Sequence, residues 1–266
     1  MENALFLSDH DLRFVAETIW GEGREARDAT NRLGARGDLL DVALEDERLV
    51  RRLLGDEQIL LRVSPRLVFT VLLRRVSRDL QQQSYTLERT PAETVAVFDA
   101  PRVRRFIAEP AIGAYLVDLL TSFVRTETIT VWMRRGERYR RRRFSTMSLE
   151  DMIEFAGLVG EDEAPAVFRR VADIALFTSG IFQDCLRSAR GGPRSTARAR
   201  AIPRTVETYE AHGRRFYRLA AQPERGGEGR VLALLAEEFP AARKSLAMLS
   251  DRYLRWTRLA WFHSPA

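Results

Sequence analysis

The chain has 266 residues, 45% hydrophobic and 30% charged, enough to bury one large core or two smaller ones and too apolar for wholesale disorder. The single cysteine, Cys185, excludes an internal disulfide and a cysteine metal cluster, and only Lys244 among the 43 basic residues is lysine. No apolar run reaches the length of a membrane span, and the first residues, MENALFLSDHD, carry neither a basic nor an apolar signal region, so a cytoplasmic protein is expected.

The charge is unevenly placed. Residues 1–63 hold 14 acidic and 9 basic residues, a net of −5, so the rest of the chain carries +11 of the overall +6. That asymmetry points to an acidic N-terminal segment and to an anionic partner for the remainder.

In chain order, Ser8 with Asp11 three residues on reads as an N-cap. Leu12, Val15, Ala16 and Ile19 then recur at helical spacing until Gly21 and Gly23 stop the helix. A second helix is predicted over Asp38–Leu54. Ser64 and Pro65 open a third, which runs to about Gln82. Residues 84–99 lose the helical period, and Tyr85–Glu88 and Val95–Phe98 read as extended pieces on either side of Pro91. A short helix starts at Pro101 and a longer, mostly buried one follows in AIGAYLVDLLTSFV.

Residues 128–144, TITVWMRRGERYRRRRF, carry the clearest strand signal, with Gly136-Glu137 suited to the turn of a hairpin and Ile129, Val131 and Met133 on one face. An isolated hairpin is marginal, so this one must lean on a helix or a partner. Ser148 caps the next helix. EAPAVFRRVADIALFTSGIFQDCL is apolar nearly all round and therefore central to the bundle. Residues 187–204 form an Arg-rich linker, and helices over Thr205–Ala221 and Glu228–Leu254 close the chain. The expected fold is mainly α, a multi-helix bundle with one small β-hairpin. Its parts are an acidic helical segment (1–63), a central helical core with the basic hairpin (64–186), the linker (187–204) and a C-terminal helical hairpin packed on the core (205–266).

Residues 16–32, AETIWGEGREARDATNR, resemble the opening of bacterial cell-wall hydrolases, in which an aromatic-Gly-Glu sequence carries a glutamate; the resemblance implies Glu22 as the acid. In that family the glutamate is followed by a long small-and-apolar helix ending in Asn-Arg. Here Asn31-Arg32 arrives nine residues after Glu22 through a polar stretch, and the similarity spans seventeen residues of 266. Glu22 is therefore read as a solvated glutamate beside a helix-ending glycine. YEAHGRRFYRLAA with LALLAEEFPAARKSLAMLSD resembles a tetratricopeptide helical hairpin through Gly213, Phe239 and Ala242. With no second copy at a fixed period, it is read as ordinary helix pairing.

Other chemistries find little support. His10, His212 and His263 form no metal-ligand pattern, and Glu207 with Glu210 lacks the Glu-x-x-His partner of a di-iron bundle. Neither GGPRST nor RGGEGR continues as a P-loop. Asp173 lies three and four residues after Arg170 and Arg169, which is ion-pair spacing. No cofactor is expected.

What remains is the basic hairpin. Arg134, Arg135, Arg138, Arg140, Arg141, Arg142 and Arg143 are interleaved with Trp132 and Tyr139, and the linker adds Arg187, Arg190, Arg194, Arg198, Arg200 and Arg204. Guanidinium forks match phosphate and stack on aromatic faces. The expectation is a non-enzymatic interaction protein that binds an anionic partner, nucleic acid or an acidic protein, through this hairpin. The alternative is a helical adaptor for another protein with no nucleic-acid role.

Overall fold

In the computed structural model, which describes residues 7–89, 93–125, 128–135, 138–188, 205–222 and 226–262, the chain is mainly helical with two small antiparallel sheets. Helix α1 (Asp9–Trp20) opens on a reciprocal capping box: the Asp11 N–H donates to Ser8 Oγ and the Ser8 N–H donates to Asp11 Oδ2. It ends at Gly21, with φ of 82° there and 119° at Gly23, a region that residues with a Cβ avoid.

Helix α2 (Arg24–Ala35) is not predicted by the sequence pattern, because its buried stripe is only Ala26, Ala29 and Leu33 in a polar segment. The helix expected over Asp38–Leu54 is two helices, α3 (Gly37–Leu44) and α4 (Glu47–Gly55). Asp46 divides them by capping α4: its carboxylate accepts the Arg48 N–H at 2.8 Å. After the short α5 (Ile59–Arg62), Ser64 and Pro65 open α6 (Pro65–Gln81) as expected.

The two extended pieces that follow pair with each other. β1 (Thr86–Arg89) and β2 (Thr94–Val97) form a second hairpin in addition to the expected one. Helices α7 (Ala100–Ile107) and α8 (Pro110–Phe123) then lead to β3 (Thr128–Arg135) and β4 (Arg138–Ser145), followed by α9 (Leu149–Ala156). The central helix breaks near its end into α10 (Ala164–Ile181) and α11 (Gln183–Ser188), with Phe182 at φ −117° and ψ 37° between them. After α12 (Val206–Ala220), the helix expected over Glu228–Leu254 is α13 (Gly226–Glu237), α14 (Phe239–Leu249) and a π-helical turn (Ser250–Leu254). Pro240 explains the first break: it has no N–H to donate, and its ring clashes with the preceding turn. α15 (Arg258–Trp261) ends the described chain.

Helix α10 is the hub, buried continuously from Val171 to Ile181, with α8, α9, α12 and α14 packed around it. Two glycines set the closest approaches. A Cβ at Gly180 would lie 2.6 Å from Leu246 Cβ of α14, and one at Gly213 of α12 would lie 2.1 Å from the Phe239 ring. Phe123 stacks on Phe177 at 4.0 Å, and Phe262 sits between Phe69 and Phe177 at 5.6 and 5.0 Å. Fully burying each such ring contributes about 1.5–3 kcal/mol. The C-terminal aromatic thus closes on α6 and α10, and buried residues from Leu12 to Phe262 form one connected cluster. No single helix among the described residues is long and apolar enough to cross a membrane; α7 and α8 reach that length only together, bent by 83°.

Candidate functional site

The β3–β4 hairpin has a register that decides which arginines face solvent. Ile129 pairs with Phe144, Thr130 with Arg143, Val131 with Arg142 and Trp132 with Arg141. Because side chains alternate across a sheet, these pairs fall on two faces. The Ile129–Phe144 and Val131–Arg142 face turns inward. Phe144 is fully buried, with its ring 5.3 Å from that of Phe155 on α9. Arg142 forms an ion pair with Glu154 of α9 and lies 5.0 Å over the Phe144 ring. The hairpin leans on a helix, as a two-stranded ribbon must.

The other face is open. Thr130, Trp132, Arg141 and Arg143 are exposed, Trp132 at 64%. Trp132 and Arg141 stand directly opposite one another, with Arg143 two residues along the strand. Nine residues of the hairpin were singled out from sequence. The structure brings Trp132, Arg141 and Arg143 to one exposed face and directs Arg142 to Glu154. Arg134, Arg135, Arg138, Tyr139 and Arg140 continue the register in the pairs Arg134↔Tyr139, Arg135↔Arg138 and Met133↔Arg140, and their side chains lie outside the described residues. So do the linker residues Arg190, Arg194, Arg198, Arg200 and Arg204, together with the side chain of Arg187.

Glu22 is exposed between its two glycines, and Asn31 and Arg32 belong to α2. Glu210 pairs with Arg214 at 3.1 Å. His212 stacks on Phe216 at 6.3 Å; burial, then the charge of Arg215, holds its pKa below the ordinary histidine value. His263 and the Cys185 side chain lie outside the described residues. No group of three or more His, Cys, Asp or Glu able to hold a metal ion occurs among the described residues.

Two buried polar clusters were only partly visible in the sequence. Asp173 on α10 accepts hydroxyl hydrogen bonds at Oδ1 from Tyr115 at 2.7 Å and Tyr217 at 2.8 Å. Arg169 lies 3.9 Å from its other oxygen and 4.8 Å over the Tyr115 ring. Burial pushes the Asp173 pKa up, against the pull of its donors and Arg169, and pushes both tyrosines well above their usual value. Arg170 also draws the Asp173 pKa down through its charge, while its guanidinium donates to the Thr146 carbonyl at 3.0 Å and to Ser122 Oγ at 2.9 Å.

The second cluster surrounds the lone lysine. Lys244 on α14, 6% exposed, donates to Asp99 at 2.5 Å and lies 3.1 Å from Glu88. Its neighbour Arg243 pairs with the same Glu88, and Thr86 donates to the other Asp99 oxygen at 2.5 Å. These bonds tie the β1–β2 hairpin to α14. A lysine inside the apolar segment FPAARKSLAML was the available signal, because a buried ammonium needs carboxylate partners. Comparison with protein-family models, with curated proteins and with solved structures finds no match to this chain.

Proposed function

We propose that the protein is a cytoplasmic interaction protein that binds single-stranded nucleic acid on the outward face of the β3–β4 hairpin. The supporting observation is the pairing of exposed Trp132 with Arg141 across the strands, with Arg143 exposed beside them. An indole lying open to solvent offers a base a stacking platform, and guanidinium groups around it offer forks for phosphate. The inward face, held by Phe144 against α9, keeps the ribbon in place so that less conformational freedom is lost on binding. The net +11 beyond residue 63 supplies the long-range attraction.

Fluorescence anisotropy with labelled single- and double-stranded DNA and RNA, titrated across salt, tests the reading. The expected result is single-strand binding whose logarithm falls linearly with the logarithm of salt. Trp132→Ala is expected to cost about 1–3 kcal/mol, the range for loss of one stacked base. Absence of binding at low salt, or equal binding by Trp132→Ala and the wild type, sinks the reading.

A further inference from the structure

Beneath the hairpin lies a cleft of about 460 Å³, walled by the end of α8, the first half of α10, α9 and the root of β3. That volume falls in the range of small-molecule sites. Ile129, Met152, Phe155 and Val167 form its apolar wall, and among the described residues Arg125 and Arg170 are the charged lining residues. An apolar wall beside two guanidinium groups suits an anion carrying an apolar body. Arg170 is held in place in advance: it donates to Thr146 and Ser122 and lies 4.0 Å over the Phe123 ring, so its charge stands at the wall without ordering on binding. Arg125 is exposed at the rim. The Thr121 hydroxyl, also on the lining, has no hydrogen-bond partner among the described residues.

The geometry points to a second binding site here, for a small organic anion with an aliphatic or aromatic body, its head group on Arg125 and Arg170 and its body against Ile129, Phe155 and Val167. The site is separate from the hairpin's nucleic-acid face, because Ile129 belongs to the inward face and Trp132 to the outward one. A carboxylate and a phosphate ester share the chemistry a guanidinium fork recognises.

Isothermal titration of the full chain, without nucleic acid, uses octanoate and octyl phosphate as probes, with octanol and acetate as controls. Octanoate or octyl phosphate is expected to bind at one site per chain, and the tighter of the two identifies the head group. Octanol has the tail without the charge and acetate the charge without the tail, and each is expected to bind at least about tenfold more weakly. Arg125→Ala is expected to weaken the anion about tenfold, and Ala166→Trp, which fills the cleft from an exposed rim position, to abolish binding. Both changes are at exposed residues, so the fold is retained. The inference is overturned by octanol binding as tightly as the anions, by no saturable binding of either anion, or by wild-type affinity in Ala166→Trp. None of these outcomes bears on the hairpin, which is tested by a different ligand.

Discussion

Asp11 and Ser64, fifty-three residues apart, join the starts of two helices: Asp11 Oδ1 accepts the Ser64 N–H at 2.8 Å and Oδ2 accepts its hydroxyl at 2.7 Å. The same carboxylate closes the capping box of α1 with Ser8, and Ser64 in turn caps α6 through the Leu67 N–H at 3.1 Å. One buried side chain therefore satisfies donors at both N-termini, where helices have backbone N–H groups to spare. Asp11→Ala is expected to destabilise the fold by about 2–3 kcal/mol, because it orphans buried donors as well as losing a cap. Ser64→Ala should cost about 1 kcal/mol, and the double variant less than the sum, since the two share bonds. Urea denaturation of the three variants checks this.

Gly213 lies under the Phe239 ring with no room for a Cβ. Gly213→Ala must push a fully buried ring out of its place, which is expected to cost about 1–3 kcal/mol despite alanine's better helix propensity. If crowding is the cause, Phe239→Leu in the same chain should recover part of the loss. An equal melting temperature for Gly213→Ala and wild type would show that the ring yields freely.

The Lys244 cluster makes stability depend on pH. Burial pushes the Glu88 carboxyl up, but Arg243 and Lys244 outweigh it, so Glu88 sits below its ordinary value. A carboxyl depressed in the folded state stabilises above its unfolded pKa, and that stability is lost as pH falls through the folded one. Asp173 has the opposite sign: raised by burial, its contribution is full below the unfolded pKa and lost as pH rises through the folded one. Lys244→Met is expected to cost about 1–3 kcal/mol near neutral pH by leaving the part-buried Glu88 and Asp99 carboxylates short of a partner. It should also lessen the loss on acidification, because Glu88 then moves back toward its ordinary value. Urea midpoints measured between roughly pH 7 and roughly pH 3 separate the two groups: a Lys244→Met curve parallel to wild type would remove Glu88 as the acid-sensitive group.

Arg142 and Arg141 are adjacent in sequence and opposite in role. Arg142 is committed to Glu154 and the Phe144 ring, whereas Arg141 faces out beside Trp132. Arg141→Ala is expected to lower the salt slope of nucleic-acid binding by about 1, the value for one lost phosphate contact. Arg142→Ala should leave that slope alone and loosen the hairpin root by no more than about 1 kcal/mol, the worth of a half-exposed ion pair. Anisotropy for the slope and thermal unfolding for stability read the two separately.

Helix starts were plain in the sequence wherever a cap is local. Ser8, Ser64 and Ser148 each bond an N–H three residues on, and each opens a helix where its spacing predicts. Helix breaks inside apolar segments were not. Nothing in the apolar period of residues 38–54 marks Asp46 as a cap, since an aspartate on a helix surface has the same pattern until its own carboxylate turns onto the Arg48 N–H. Helix α2 escaped notice because alanines bury little area and leave a weak periodic signal. At the hairpin, alternation marked Ile129, Val131 and Met133 as one face, yet the cluster of arginines read as a single charged surface. Its division into an outward pair and an inward ion pair needs the strand register and the position of α9.

Taken alone, the sequence determined that this is a mainly helical protein with a basic β-hairpin and with α10 at its centre, because capping, turn chemistry and hydrophobic period all act within a few residues of chain. The tertiary structure alone decided which charges are spent internally. Asp11 on Ser64, Asp173 on Tyr115 and Tyr217, Lys244 on Glu88 and Asp99, and Arg142 on Glu154 are pairings that form only once distant segments are packed together. An apolar setting can mark a charge as paired, as it does for Lys244, but the sequence does not say which distant residue is the partner. Folding makes that choice, because a group taken out of water must find its counterpart inside the protein.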